Sequence, residues 1–279
     1  MLLKMNNPLR SHIFIPDIQV HDGVPLDHLD WIGRYIVDKK PDVIIQAGDF
    51  ADMPSLSSYD KGKKGFEGRR YNKDIQSARE AMNVLLHPLN QLQQSQKKGK
   101  KKLYLPEMHL TYGNHEDRID RAIESEAILE GTISKEDLGY EEAGWTTHPF
   151  LETVEKDGIL YSHFFPRNAN GRIIQNKRGA PSARTQVIRE MQSCTSGHLQ
   201  GLDSFIYQTR KGRKYGLIAG SCYLHEESYL TPQGTHYWRG IIHKHEVLNG
   251  EYDAMFISLG YLCRRYGDKQ QIKKWGTLK

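Results

Sequence analysis

The sequence predicts an α/β protein in which two β-sheets pack face to face and helices flank them, a two-sheet sandwich. The chain opens with a strand–helix–strand pattern, and its second half is dominated by strand-like segments with hairpin turns. Hydrophobic residues make up 38% of the sequence, which is enough for a packed core. No linker or internal repeat interrupts residues 1–262, so we predict one domain there and a polar, disordered C-terminal tail over residues 263–279.

The first elements form a predicted βαβ unit. The apolar run HIFIPD predicts a buried strand that ends at Asp17, and DVIIQAGD predicts a second strand that ends at Gly48 and Asp49. Between them, apolar residues recur at the spacing of one helix face: Leu26, Leu29, Ile32, Ile36 and Val37. Two strands joined by such a helix are expected to be parallel neighbours.

The middle of the chain alternates basic loops with regular elements. Residues 54–73 are rich in Gly, Lys and Arg, which predicts a mobile basic loop, and a long helix is predicted from Asp74 to Gln94. The run KKGKKK at 97–102 predicts a solvated turn, and KLYLPEMHLT predicts a third strand that delivers the Gly-Asn-His-Glu loop at 113–116. A charged helix is predicted to begin at Asp117.

The second half of the sequence is β-rich. The segment FLETVEKDGILYSHFF predicts two short strands around the turn at 156–158, with His163 at the end of the second strand. The segment PSARTQVIREM predicts a helix, and SCTSGHLQG places His198 and Gln200 after a short strand. The remainder alternates like antiparallel strands joined by hairpins.

Charge, cysteine content and hydropathy bound the class of protein. The 39 Lys and Arg residues exceed the 34 Asp and Glu residues, and the net charge of +5 suits an anionic substrate without requiring one. Three widely spaced cysteines support neither a disulfide framework nor a zinc knuckle. The N-terminal segment MLLKMNNPLR lacks the apolar core of a signal peptide, and no segment approaches the ~18 apolar residues of a membrane span. We therefore expect a cytoplasmic protein with no membrane partner.

Five clusters of polar residues lie at the ends of predicted strands. They are Asp17 with Gln19, Gly48-Asp49 with Asp52, Gly113-Asn114-His115-Glu116, His163, and Gly197-His198 with Gln200. Each cluster taken singly is typical of a turn or of a structural histidine. Together they place Asp, Asn and His donors at strand ends, where ligand-binding loops meet. Such donors suit Mn, Fe, Zn or Mg ions.

The order of these clusters resembles the motif series of the calcineurin-like metallophosphoesterase superfamily. The GD and GNHE motifs match in full, and the likeness spans roughly residues 11–200. In its compact, single-domain form the chain is also similar to phosphoesterases of phage genomes. The resemblance implies a metal-dependent phosphoric ester hydrolase in which two metal ions clamp a phosphate and activate a water molecule.

The resemblance also implies a role for each matching residue. Asp49 would bridge two ions, and His115 would face the phosphate as a proton donor or oxyanion stabiliser. The first ion would be completed by Asn114, His163 and His198. The second ion would be held by Asp17 together with Gln19 and Gln200.

The chain departs from the family at Gln19 and Gln200, where the family has histidine at both positions. An amide oxygen is a weaker ligand than imidazole for transition metals, so we expect one tight and one weaker site, with Mn as the favoured ion. Two alternatives remain open: a harder ion such as Mg at the second site, or His21 as a substitute ligand. The remaining histidines at His225, His236, His243 and His245 are interpreted as structural or surface groups.

The substrate is the least specified part of the prediction. Arg118 follows the GNHE motif and is a candidate for binding non-bridging phosphate oxygens, whereas Arg121 is at the spacing of a helix ion pair with Asp117. The basic segment 61–73 contains Phe66 and Tyr71, and such mixtures suit nucleotides or nucleic acid. We therefore expect a phosphodiesterase or nuclease. The alternatives are a phosphomonoesterase, or a metal-binding scaffold that has lost turnover and binds a partner.

Overall fold

A computed structural model of the chain describes residues 9–166, 180–210, 212–227 and 237–278. Within these ranges the chain forms eleven strands and six α-helices. The strands are β1 (Arg10–Ile15), β2 (Val43–Gln46), β3 (Glu107–Thr111), β4 (Thr146–His148), β5 (Val154–Lys156), β6 (Ile159–Ser162), β7 (Ser193–Ser196), β8 (Leu202–Thr209), β9 (Gly212–Ala219), β10 (Gly240–Leu248) and β11 (Glu251–Ser258). The helices are α1 (Asp27–Lys39), α2 (Tyr71–Lys98), α3 (Arg118–Ser125), α4 (Ala183–Glu190), α5 (Leu259–Tyr266) and α6 (Lys269–Trp275).

The first sheet has six strands in the order β11-β10-β1-β2-β3-β4. Strands β1 to β4 are parallel, and the register places Ile13 of β1 opposite Ile44 of β2. The predicted βαβ unit is therefore confirmed. Strands β10 and β11 form an antiparallel hairpin that pairs with β1. The sequence did not predict β4, which has three residues and no apolar run.

The second sheet has five strands in the order β5-β6-β7-β9-β8. The central strands β6, β7 and β9 are parallel. The edge strands β5 and β8 pair antiparallel with β6 and β9. The predicted turn between β5 and β6 is confirmed. Gly158 lies in this turn with a φ of +82°, a conformation that favours glycine. The predicted strand before His198 is β7, and the predicted hairpins of the C-terminal half are β8-β9 and β10-β11.

The two sheets pack against each other through an apolar core. Phe14 and Ile45 from the first sheet join Tyr161 and Leu217 from the second in one buried cluster. The opposite face of the first sheet is covered by α1 and α2, with residues such as Leu29 and Leu85 in a second cluster. Helix α4 packs on the outer face of the second sheet. The predicted class, an α/β protein with two sheets and flanking helices, is confirmed.

A lysine side chain is buried inside the core between the sheets. The side chain of Lys244 on β10 is fully buried, and its Nζ donates hydrogen bonds to Thr195 Oγ1 at 2.6 Å and to the Tyr161 hydroxyl at 3.3 Å. The rings of Tyr161 and Tyr252 lie 4.4 and 4.6 Å from Nζ. Burial lowers the pKa of Lys244 well below its ordinary value.

Helix α2 and the loop before it differ in detail from the prediction. The helix runs from Tyr71 to Lys98, longer than predicted, and includes Pro88. Segment 54–73, predicted as a mobile loop, contains short 3-10 turns at Pro54–Leu56 and Lys64–Phe66. Arg69 ties this segment together by donating to Asp60 Oδ2 at 2.9 Å and to the Pro54 carbonyl at 3.2 Å. Residues 97–102 are exposed, as expected of a solvated segment.

The predicted disorder of the C-terminal tail is wrong. Helix α5 crosses the predicted boundary at 262, and α6 is capped by Asp268, whose carboxylate accepts the Gln270 and Gln271 N–H groups. Gln271 then accepts a hydrogen bond from Trp31 Nε1 at 3.1 Å. The polar composition concealed this packing because a short amphipathic helix needs few apolar residues. Among the helices of the described ranges, none is both long enough and apolar enough to cross a lipid bilayer.

Candidate metal centre

The predicted site residues lie on loops that follow parallel strands of both sheets. Asp17, Asp49 and Asn114 follow β1, β2 and β3, whereas His163 and His198 follow β6 and β7. Because parallel strands end at the same edge of a sheet, these loops converge where the two sheets meet. The site therefore draws on both halves of the sandwich.

Three buried side chains form the centre of this convergence. The ligating atoms of Asp49, His163 and His198 all lie within 4.8 Å of one another, and this is the group of metal-ligating residues found within the described ranges. His163 Nε2 lies 3.1 Å from His198 Nδ1 and 3.5 Å from Asp49 Oδ2. Asn114 Oδ1 lies 3.0 Å from the same nitrogen. The residues predicted for the first ion are thus brought together.

The chemistry of this donor set fits a divalent cation. His163 Nδ1 lies 2.8 Å from the Ala47 carbonyl oxygen, which can only accept, so Nδ1 carries a proton. In the neutral ring, Nε2 then presents a lone pair toward Asn114 Oδ1 and the Asp49 carboxylate. Lone pairs that face one another repel, and a cation relieves that repulsion. Imidazole held by a backbone carbonyl is the usual arrangement of a metal-binding histidine.

Two glycines allow the loops to approach this closely. A Cβ atom at Gly113 would lie 2.1 Å from Asp49 Oδ1, and one at Gly197 would lie 2.2 Å from Asp17 Oδ1. Both distances are far shorter than van der Waals contact, so any side chain would displace a carboxylate. The glycines of the GNHE and GH motifs are therefore steric requirements of the site.

Asp17 and Asp49 are buried carboxylates with opposite titration behaviour. Burial and the charge of Asp49 raise the pKa of Asp17 well above its ordinary value. Burial also opposes ionisation of Asp49, but the nearby His115, His163 and His198 outweigh it and lower the Asp49 pKa below its ordinary value. Asp17 Oδ1 accepts the His198 N–H at 2.9 Å. Asp17 is thus tied to the loop that carries His198, whereas Asp49 lies among the histidines.

The two glutamines lie on the Asp17 side of the centre. Gln19 is fully buried, and its backbone N–H donates to the Asp49 carbonyl at 2.8 Å. Gln200 is 7% exposed, and its Oε1 accepts a hydrogen bond from the Tyr223 hydroxyl at 2.9 Å. His21, the alternative ligand, lies beside His225 with ring centres 5.2 Å apart and is not part of the Asp49 group of ligating atoms.

His115 is paired with an acid to which the sequence analysis gave no role. Its Nδ1 lies 2.5 Å from Asp52 Oδ1, and its Nε2 lies 3.6 Å from Asp49 Oδ2. Burial would raise the pKa of Asp52, but the hydrogen bond from His115 outweighs it and lowers that pKa to about 2. Asp52 therefore holds the His115 ring in place. The feature of the sequence that points to Asp52 is its position three residues after Asp49.

Glu116 is a second residue whose role was missed. Its carboxylate is fully buried and accepts the backbone N–H groups of Asp49 at 2.9 Å, Ala51 at 3.0 Å and Gly113 at 2.9 Å. Burial and the charge of Asp49 raise its pKa to about 7. The buried Glu116 carboxylate thus links the loop after β2 to the loop after β3. The signal was an acidic residue at the end of the GNHE motif.

The two arginines after GNHE have different surroundings. Arg118 Nη1 donates to the Asp52 carbonyl at 2.6 Å, and Nη2 lies 3.4 Å from His115 Nε2. Arg118 is thus placed beside His115 while one nitrogen is engaged by the backbone. Arg121 Nε lies 3.2 Å from Asp117 Oδ2, which confirms the helix ion pair proposed for it.

The other histidines have local partners. His243 Nδ1 lies 2.8 Å from the Tyr35 hydroxyl, and its ring stacks on His245 with centres 3.8 Å apart. His225 Nε2 lies 2.8 Å from Glu227 Oε1. These contacts agree with structural roles, and His236 lies outside the described residues. No protein-family model matches the chain, and no curated protein matches its sequence.

Proposed function

We propose that this chain is a divalent-metal-dependent phosphoesterase of the calcineurin-like type. The observation that supports the proposal best is the convergence of Asp49, Asn114, His163 and His198 beside the paired side chain of His115. A cluster of metal ligands next to an oriented imidazole provides both halves of phosphoester hydrolysis, a cation site and a proton donor. The sequence order of these residues is the order in which the resemblance requires them.

The ligand set supports a proposal of two unequal ion sites. Asp49, Asn114, His163 and His198 would hold the tighter ion, and Asp17, Asp49 and Gln19 a weaker one. When bound, such ions supply Lewis-acid activation of water and neutralise charge on the phosphate. Nitrogen donors combined with carboxylate and amide oxygens favour Mn, with Fe, Zn or Mg as alternatives.

The residues around His115 would act on the phosphate oxygens. Asp52 accepts the proton of Nδ1, which leaves Nε2 as the atom that serves the substrate. Held in this orientation, the imidazole can give a proton from Nε2 to the departing oxygen. Arg118, whose Nη2 lies beside the same Nε2, would offset negative charge on a non-bridging oxygen.

The segment before α2 supports a phosphodiester of a nucleotide or nucleic acid as substrate. Tyr59 is 87% exposed, and the ammonium of Lys63 lies 4.6 Å from its ring centre. The neighbouring Lys61, Lys64 and Arg70 are also exposed. A cleft of about 380 Å³ beside this segment is lined by Arg69, Arg70 and Lys73 and by Asp52, the partner of His115. Exposed aromatics among cations bind bases and phosphates together.

Hydrolysis of two chromogenic esters tests the activity and the substrate class. We expect bis-p-nitrophenyl phosphate to be hydrolysed faster than p-nitrophenyl phosphate in the presence of Mn, and a chelator to abolish the reaction. Asp49→Asn should remove activity and lower bound Mn below one ion per chain. A preference for the monoester would indicate a phosphomonoesterase. Mn binding without hydrolysis of either ester would indicate a scaffold.

A calorimetric Mn titration tests the two unequal sites. The wild type should bind close to one ion tightly, and activity should rise only as the weaker site fills. Replacement of Gln19 and Gln200 together by histidine should tighten the weaker site, because imidazole is the stronger ligand. Two equally tight sites in the wild type would contradict this assignment.

A further inference from the structure

Two histidines lie side by side at the β4 edge of the first sheet. His109 is on β3, and His148 is the last residue of β4, the neighbouring edge strand. The register pairs His109 with Thr146 and Thr111 with His148, so both histidines lie on the same face of the sheet. His109 Nδ1 lies 3.1 Å from His148 Nε2. Neither histidine has a role in the proposed phosphoesterase reaction.

Each of the two imidazoles has a carboxylate at its other nitrogen. His148 Nδ1 lies 3.4 Å from Glu152 Oε1, and His109 Nε2 lies 3.7 Å from Glu107 Oε2. Lys156 Nζ donates to the same Glu107 oxygen at 3.1 Å. Burial opposes ionisation of Glu107, but hydrogen bonds from cationic side chains, Lys156 among them, outweigh it and lower its pKa. Two carboxylates therefore enclose the pair of imidazoles in one row.

This row favours ring protons on the outer nitrogens and none between the rings. A carboxylate oxygen only accepts hydrogen bonds, so the proton of each neutral ring is favoured on His109 Nε2 and on His148 Nδ1. His109 Nδ1 and His148 Nε2 then both carry lone pairs at a separation of 3.1 Å, and these repel each other. A positive charge bound between the two nitrogens removes the repulsion. That charge is either a shared proton or a metal ion.

Three features favour a metal ion over a shared proton. A carboxylate at the far nitrogen is the usual companion of a metal-binding histidine. The side chains of His109 and His148 are 10% and 16% exposed, which leaves access for water molecules as further ligands. Burial, as the main cause, lowers the pKa of His109 and so opposes protonation of the pair.

The separation of the two nitrogens fits an ion bound to both. Metal–nitrogen bonds of about 2.0–2.1 Å to atoms 3.1 Å apart make an angle of about 95–100° at the ion. Such an angle lies between those of octahedral and tetrahedral coordination. Imidazole nitrogens bind Zn, Ni and Cu ions, whereas Mg and Ca ions need oxygen ligands.

We propose that His109 and His148 form a further metal site, the paired-histidine site, which binds a divalent Zn, Ni or Cu ion through His109 Nδ1 and His148 Nε2. This site is separate from the centre, since neither histidine belongs to the Asp49 group of ligating atoms. It supplies two protein ligands, and an ion bound there joins β3 to β4, an edge strand of three residues. The site does not depend on the proposed phosphoesterase activity.

Zinc counting after equilibrium dialysis tests the paired-histidine site. The full-length chain is dialysed over a range of free Zn concentrations, and bound Zn per chain is measured by elemental mass spectrometry. His148→Ala should bind one ion fewer than the wild type, whereas Asp49→Asn should lose Zn from the centre and retain the ion of the pair. His87→Ala, which removes an exposed histidine of α2, is the matched control and should bind as many ions as the wild type. In Zn-soaked crystals, an anomalous peak should lie between the two nitrogens.

Glu152→Gln tests the site without removing a ligand. The Glu152 side chain is 51% exposed, so its replacement keeps the proposal testable even if His148→Ala does not fold. Loss of a carboxylate that orients a metal-binding histidine typically weakens metal affinity by about 10–100-fold, and the paired-histidine site should lose Zn affinity by about that factor. Glu142→Gln removes a 71% exposed carboxylate that pairs with Arg79 instead, and it should leave the affinity unchanged.

Two results would overturn the proposal. An unchanged zinc count in His148→Ala, with no anomalous peak between the nitrogens, would leave a shared proton as the charge between the rings. Equal losses of Zn affinity in Glu152→Gln and Glu142→Gln would reduce the effect to net charge and contradict the carboxylate–histidine–metal arrangement on which the site depends.

Discussion

Backbone groups hold the side chains of the centre as firmly as the side chains hold one another. The His115 N–H donates to Asp49 Oδ1 at 2.9 Å, and the His198 N–H donates to Asp17 Oδ1 at the same distance. The Ala47 carbonyl fixes the ring of His163. Each carboxylate is thus oriented by a loop that carries another motif, and the ligand geometry exists before an ion binds.

Replacement of His115 should separate proton transfer from metal binding. His115→Ala should lower kcat by about 10²–10⁴, the usual contribution of a general acid or an oxyanion partner. Its Mn content should be nearly unchanged. Because the shortest contact of the Asp52 carboxylate is with His115, Asp52→Asn should slow wild-type turnover strongly. It should have a much smaller effect in the His115→Ala background, where only the 3.5 Å contact with Arg118 remains.

Steady-state kinetics with metal analysis on the single and double variants makes this measurement. Arg34→Ala, which removes a helix ion pair with Asp30 on α1, is the control and should retain near-wild-type kcat. Loss of Mn from His115→Ala would show that His115 is a ligand. Additive effects of the two replacements would show that Asp52 acts independently.

The ligands could be predicted from the sequence, but their supporting partners could not. Asp49, Asn114, His163 and His198 follow strands that the apolar pattern identifies, so their convergence follows from the rule that parallel strands end at one edge. Asp52, Glu116 and Tyr223 act through contacts between segments distant in the chain. A single sequence does not specify which buried acid faces which histidine, or which hydroxyl faces Gln200.

Helices α5 and α6 show how tertiary contacts create structure in a polar segment. Helix α6 has seven residues, which is too short to be stable by itself in water. It is stabilised by the Asp268 cap and by Gln271, whose side chain is hydrogen-bonded to both Trp31 and Asp27 of α1. Neither contact produces a periodic apolar pattern, and for that reason the polar composition of residues 263–279 predicts disorder.

Removal of the α6 cap should destabilise the protein if the tail unfolds together with the domain. Asp268→Ala leaves two helix N–H groups without their acceptor and should lower the free energy of unfolding by about 1 kcal/mol. Urea titration monitored by fluorescence measures the change. Lys273→Ala, an exposed replacement in the same helix, should have little effect. An unchanged midpoint for Asp268→Ala would mean that α6 melts before the domain.

The sequence predicts the α/β class of the whole molecule but not the order of the strands in its two sheets. The hairpins and the βαβ unit follow from short-range patterns, and both are present. The placement of β10 beside β1, and of β9 between β7 and β8, joins segments that no local signal relates. Strand order depends on which apolar faces fit together in the core, and composition alone does not determine that fit.

Buried histidines should make the whole fold sensitive to acid. Burial, as the main cause, lowers the pKa of His12 to about 4 and those of His28 and His243 to about 3. An unfolded histidine takes up a proton near pH 6.5, so stability is complete above that pH and is lost as the pH falls toward the folded values. Each such histidine should cost about 2 kcal/mol of stability between pH 7 and pH 5.

His28 is the most direct test of this acid sensitivity. It is 1% exposed, and desolvation by burial is the largest cause of its lowered pKa. In His28→Leu, the loss of unfolding free energy between pH 7 and pH 5 should be smaller than in the wild type by about 2 kcal/mol. Urea titrations at both pH values measure this difference, and exposed His87→Leu on α2 is the control. An identical pH dependence in His28→Leu and wild type would refute the assignment.

The reactivity of the buried Lys244 reports how often the two sheets separate. A lysine whose pKa is lowered reacts more readily with acylating reagents, yet Lys244 Nζ is enclosed by Thr195 and the tyrosine rings and is reached only when the sheets separate. Exposed lysines such as Lys273 should be acylated at once, whereas Lys244 should be acylated at the frequency of sheet separation. Peptide mass spectrometry over time measures both rates, and equal rates would mean that the interior is open to reagent. Bound Mn should slow the Lys244 reaction alone, because its ligands come from both sheets.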